Sequence, residues 1–109
     1  MNLKVAYIEN ALINIKTKTV KTILISYDLV APGRNYDDLL DHLRSYSGYC
    51  SPLESFWLVR TSFSETEVRD KVANFLDSND KLLVMDVSGD AAAWIGLSSD
   101  STTWIKNNL

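Results

Sequence analysis

Cysteine and histidine are almost missing from this chain of 109 residues: Cys50 and His42 stand alone. One cysteine excludes an internal disulfide and every multi-cysteine zinc site. It fits a reducing compartment, so a cytoplasmic location is expected. One histidine leaves a Ser–His–Asp triad only His42 to work with, and no serine sits in a Gly-x-Ser-x-Gly elbow. The four glycines form neither a Gly-x-Gly-x-x-Gly turn nor a phosphate-binding loop. No organic cofactor is therefore expected. Long apolar runs are lacking too; none approaches the ~18–20 residues that span a bilayer. Glu9, Asn10 and Asn14 interrupt the apolar N-terminus, unlike a signal peptide. No membrane partner is expected. Positive charge is scarce: 11 Lys and Arg against 14 Asp and Glu, a net charge of -3. That balance argues against a protein coating DNA with a basic face.

What is present is ordinary globular material. Hydrophobic residues make up 46%, aromatics 10% and charged residues 23%. Such a chain buries enough surface to fold as one domain over 1–109. Within it, 1–19 reads as an N-terminal extension, 20–97 as the core and 98–109 as a C-terminal cap. In the extension, Leu3, Tyr7, Ala11 and Ile15 recur every four residues and predict a helix over 3–15, with a strand through Leu3–Ile8 as the rival.

Ile23-Leu24-Ile25 with Tyr27 and Leu29 predicts a central strand. Ala31–Arg34 is a turn, and Asn35 is placed to cap a helix over 36–47 that Gly48 would stop. Tyr49–Thr61 is a strand region broken at Ser51–Glu54, where Pro52 marks a bend, an edge or a hairpin tip. Ser64 and Glu67 form a capping box opening a second helix, with Val68, Val72, Phe75 and Leu76 on its buried stripe. Glu65–Arg69 and Glu67–Lys71 are spaced for ion pairs. Lys81–Val87 predicts a second central strand, Ala91–Leu97 a further strand, and 101–108 a short helix or irregular cap.

The first six core elements give an α+β fold, the ferredoxin-like βαββαβ antiparallel sheet with strand order 4-1-3-2, plus an extra C-terminal strand. Ile23, Ile25, Leu83 and Met85 alternate with Leu24, Leu82 and Val84, so both sheet faces are apolar. The face without helices needs the N-terminal helix or a second subunit as cover. A homodimer is expected, with the last strand or C-terminal segment crossing over.

Ser26-Tyr27-Asp28-Leu29, Pro52–Trp57 and Ala92–Gly96 together resemble a family. The strand ending in Tyr-Asp, the later Ser with an aromatic, and the Asp-led strand Asp80–Val84 are similar to the second CRISPR-associated protein of the spacer-acquisition complex. The closer similarity is to its SinR-like branch. The resemblance covers roughly 21–90. It implies a ferredoxin-like dimer, and it implies that Asp28 would hold a divalent metal for phosphodiester cleavage.

The residues themselves point to the same place. Strand order 4-1-3-2 puts Asp28 near Asp80, and the hairpin between strands two and three brings Glu54 or Ser55 close. Carboxylates gathered there would suit Mg²⁺ or Mn²⁺, with Tyr27, Ser55 and Asp80 in support. The plainer alternative is that Asp28 and Asp80 bond local backbone N–H groups. Asp86 falls at the opposite sheet end near Lys21, as a turn cap or ion-pair partner. Arg34 and Arg60 would flank a nucleic-acid groove; the alternative is a solvated or paired surface. Trp57, Trp94, Trp104, Tyr27 and Tyr49 would stack on bases or, more simply, form core. His42 reads as a boundary residue. Two functions follow as expectations: a nucleic-acid-associated, metal-dependent nuclease of RNA or DNA, or a non-catalytic dimeric interaction or regulatory domain. A partner protein is compatible with either.

Overall fold

The computed structural model describes residues 19–30 and 36–109. The expected helix over 3–15, the cap Asn35 and the groove residue Arg34 lie outside the described residues. Seven elements follow in order: β1 (Lys21–Asp28), α1 (Asp37–Leu43), β2 (Gly48–Leu53), β3 (Phe56–Thr61), α2 (Glu65–Ala73), β4 (Lys81–Asp86) and α3 (Ser99–Asn108). The architecture is α+β, with one four-stranded sheet ordered β2-β3-β1-β4 and antiparallel throughout.

Register follows from alternation in β1. Ile23 faces Val59 and Ile25 faces Trp57 across one ladder, while Ile25 faces Val84 across the other. These side chains meet Leu39 and Leu43 of α1 and Val68 and Val72 of α2 in one buried cluster. Fully burying each such side chain stabilises the fold by ~1.5–3 kcal/mol. Both helices therefore belong to the same sheet face. α2 starts where the sequence places it: the Ser64 hydroxyl accepts from Glu67 N at 3.1 Å, and Glu67 accepts from Ser64 N at 2.8 Å. With Glu67 used in the cap, the expected Glu67–Lys71 pairing is superseded. Arg69 turns to its neighbour Asp70 at 2.8 Å rather than back to Glu65.

Several expectations need correction. α1 is shorter than 36–47, and its N-cap position is Tyr36, which makes no side-chain cap bond. Gly48 does not stop the helix; it opens β2, where an added Cβ would lie 3.1 Å from Arg60 Cγ. Pro52 sits in β2, an edge strand, where its missing donor costs no ladder bond. The β2–β3 register shifts between Cys50 and Leu53. β4 is also an edge strand, not a central one. Of its apolar run, Leu82 and Val84 pack against the helix-side core, while Leu83 and Met85 are exposed on the other face.

The expected strand over Ala91–Leu97 does not form. Residues 90–96 are an exposed, irregular arm. Gly89 (φ 75°) and Gly96 (φ 81°) take left-handed conformations at its two ends, which turn the chain out of an extended path. The C-terminal cap is a regular helix, α3, and its Ser98 N-cap accepts from Ser101 N at 3.1 Å.

α3 and the arm cover part of the second sheet face. Ile105 is buried there, and the Cys50 thiol donates to Ser101 Oγ at 3.5 Å. An apolar cavity of about 320 Å³ runs between Leu24, Phe56 and Leu58 of the sheet and Ala93, Trp94 and Ile105 above it. Among the described residues nothing covers the rest of that face. Leu53 is 56% exposed, Leu83 55% and Met85 47%, and Ile95 on the arm is 94% exposed. Among the described residues no helix is long and apolar enough to cross a membrane.

Candidate functional site

Asp28 ends β1 opposite Lys81, the first residue of β4. Its side chain is exposed, and alternation assigns it to the same face as Leu24 and Ser26, the open one. Among the described residues its carboxylate makes no hydrogen bond or ion pair. Ser55 arrives at this end as expected. It closes the β2–β3 hairpin in a left-handed conformation (φ 56°), and its carbonyl accepts from Tyr27 N at 3.1 Å. The contribution is a backbone one that fixes the hairpin tip against β1.

Asp80 lies next to Lys81 but is committed elsewhere. One oxygen accepts from Val30 N at 2.9 Å, and the other from Asp77 N at 2.8 Å and the Tyr36 hydroxyl at 3.0 Å. One carboxylate thus ties together the exit of β1, the entry to α1 and the turn before β4. Tyr36 packs against the helix-side core. Asp80 therefore works toward the helix face while Asp28 belongs to the open face. Among the described residues Asp28 and Asp80 do not form the two-carboxylate metal site expected from strand order. Among the described residues no group of three or more His, Cys, Asp and Glu is gathered where it could hold a metal.

Arg60 is also engaged. Its Nη1 donates to Thr22 Oγ1 at 2.7 Å and to the Asn108 carbonyl at 3.0 Å, and the Thr22 hydroxyl donates to that same carbonyl. A cation on the last carbonyls of a helix meets the negative end of its dipole. Arg60 thus fastens α3 to the sheet. The Tyr27 hydroxyl accepts from Trp57 Nε1 at 3.1 Å, and Trp57 is buried, so these aromatics serve the core. Trp94 Nε1 donates to Thr102 Oγ1 at 3.2 Å and holds the arm to α3. Asp86 is a turn cap: it accepts from Ser88 Oγ at 2.6 Å and Ser88 N at 3.0 Å. Those two bonds, with Lys21 nearby, hold its carboxyl below the ordinary range despite a small opposing effect of burial.

One grouping escaped the sequence reading. His42 Nε2 lies 3.0 Å from the Tyr46 hydroxyl, with the Tyr46 ring edge-on at 5.1 Å and the Phe75 ring stacked at 5.0 Å. Burial lowers the His42 pKa, and the Lys71 charge lowers it further. Burial pushes the Tyr46 hydroxyl up to about 12. The i,i+4 spacing of His42 and Tyr46 was the available signal; the contribution of Lys71 from another helix was not visible without the fold.

No family model matches the chain, and no solved structure matches it.

Proposed function

We propose that this chain is a non-catalytic dimeric interaction domain of ferredoxin-like build, in which a second copy covers the open part of the sheet. The carrying observation is the apolar surface that the described residues leave beyond α3. Leu83 and Met85 of β4 and Leu53 of β2 are about half exposed on the same sheet face, and Ile95 of the arm is almost fully exposed. Soluble domains rarely leave such neighbours uncovered, and an apolar patch is the usual mark of an interface. A second copy is the natural occupant because a two-fold contact needs only one self-complementary surface. It also agrees with the dimer that the family resemblance implies. The arm 90–97 is the segment that would cross between copies.

Sedimentation equilibrium tests this reading. The wild type is expected at twice the chain mass, and Leu83→Glu at one chain mass with unchanged circular dichroism. A wild-type chain that stays monomeric across the concentration range overturns it.

A second reading keeps one specific observation in its favour. Among the described residues the Asp28 carboxylate is uncommitted, and it lies on the face that the second copy would cover. Two-fold pairing would supply a second carboxylate, and a nucleic-acid-associated, metal-dependent nuclease would then use both. Cleavage of labelled RNA and DNA with Mg²⁺ or Mn²⁺, lost with chelator and in a folded, dimeric Asp28→Ala variant, supports that reading. Cleavage that survives in the variant removes Asp28 from it.

A further inference from the structure

At the sheet end remote from Asp28, the close of β3, the turn between α1 and β2, and one side of α2 enclose a cavity of about 400 Å³. That volume falls within the ~300–1,000 Å³ typical of small-molecule clefts. Its polar wall includes His42, Ser62, Lys71 and Arg60, the last already bonded to Thr22 and Asn108, and its apolar wall includes Val20 and Phe63. Among the described residues neither Asp nor Glu lines it, although acidic residues outnumber basic ones in the chain. Lys71 Nζ stands 4.5 Å from the centre of the Phe63 ring. Among the described residues no carboxylate pairs with this ammonium, and no hydrogen bond occupies the Ser62 hydroxyl. The His42 ring is clamped between Tyr46 and Phe75, so that part of the wall is preformed.

We infer that this cavity binds a small phosphate monoester whose remaining part is apolar or aromatic. Lys71 supplies the cation, Ser62 a hydroxyl donor, and Phe63 a surface for the apolar part. The site is separate from the open sheet face and does not depend on the dimer. The same chemistry would accept the terminal phosphate of an oligonucleotide, so the test carries an arm for each source.

The single histidine makes the measurement direct, because His42 alone supplies the imidazole resonances in a proton spectrum. Phenyl phosphate is titrated into the intact protein near neutral pH, with potassium chloride at matched ionic strength and benzyl alcohol as controls. A saturable shift with a midpoint of about 1 mM or tighter is expected, and none with either control. Binding an anion there also raises the His42 titration midpoint; the ionisable groups bearing on the ring are Lys71 across from α2 and Tyr46 beyond its own helix. Lys71→Gln is expected to weaken binding about tenfold, the loss of one charge-assisted contact. Ser62→Ala is expected to weaken it about threefold and decides the matter if the Lys71 variant does not keep its circular dichroism. A 5′-phosphorylated dinucleotide that binds more tightly than phenyl phosphate assigns the source to nucleic-acid ends; weaker binding assigns it to free esters. A shift that fails to saturate, or equal affinity in folded variants, overturns the site.

Discussion

Arg60 and Asn108 join the middle of the sheet to the end of the chain's last helix, with Nη1 of the arginine 3.0 Å from the asparagine carbonyl. The guanidinium shares that carbonyl with the Thr22 hydroxyl. Arg60→Ala is expected to cost about 1.5–3 kcal/mol, the range for a hydrogen bond to a charged group. Urea denaturation reads the loss, and amide exchange should accelerate first at Ile105 and Leu109. If exchange in α3 is unchanged, Arg60 does not hold the helix.

Asp80 and Asp28 should separate cleanly by stability. Asp80→Ala strands the donors of Val30, Asp77 and Tyr36, and about 2 kcal/mol of destabilisation is expected. Asp28→Ala removes no bond among the described residues and should stay within about 0.5 kcal/mol of wild type. Urea midpoints of the two variants check this. Equal losses would mean that Asp28 is a structural residue as well.

His42 should titrate below its ordinary 6.5 in the folded chain, because burial and then Lys71 disfavour its charged form. The unfolded chain binds the proton more readily. Stability from this residue is complete above the unfolded value and is lost as pH falls from there through the folded one. Lys71→Gln removes the smaller cause, so the midpoint should rise but stay below 6.5, burial remaining. A pH series of proton spectra on both proteins measures it. An unchanged midpoint in the variant would place Lys71 too far away to matter.

Asp86 titrates in the opposite pH region for a different reason. The Ser88 hydroxyl, then the Ser88 backbone, hold its carboxyl below the ordinary value. Its contribution is present above the unfolded carboxylate value of about 3.8 and disappears as pH falls through the folded one. Ser88→Ala removes the larger of the two bonds and should raise the midpoint toward the ordinary value. Carbon-detected titration of the Asp86 carboxyl reads this, and a midpoint that does not move contradicts the cap.

Signals carried by neighbouring residues were legible in the sequence. The Ser64–Glu67 box, the buried pair Val68 and Val72, and the alternation through Ile23 and Ile25 each depend on spacing within one element. So did the role of Asp86, since Ser88 is two residues away. The arm over 91–97 was misread because its composition suits a strand while its two glycines, not its apolar residues, decide its path. Asp28 and Asp80 were expected together because strand order does bring their backbones to one sheet end. Strand order does not say which face a carboxylate serves, and Tyr36 and Val30 claim Asp80 for the helix side. The groove role expected for Arg60, with a solvated or paired surface as its alternative, misses the structural role for a similar reason: its partner, Asn108, is 48 residues away.

Pro52 carries a consequence for growth of the sheet. Among the described residues, the outer edges of β2 and β4 are its two borders. At β2 the proline offers no N–H, and the register shift beside it breaks the regular spacing a new strand would need. That border is the poorer template for addition. β4 has no such interruption between Lys81 and Asp86. A sheet open at both borders can recruit copies without end and grow into a fibre. Strand addition between copies of this chain would therefore fall to the β4 border.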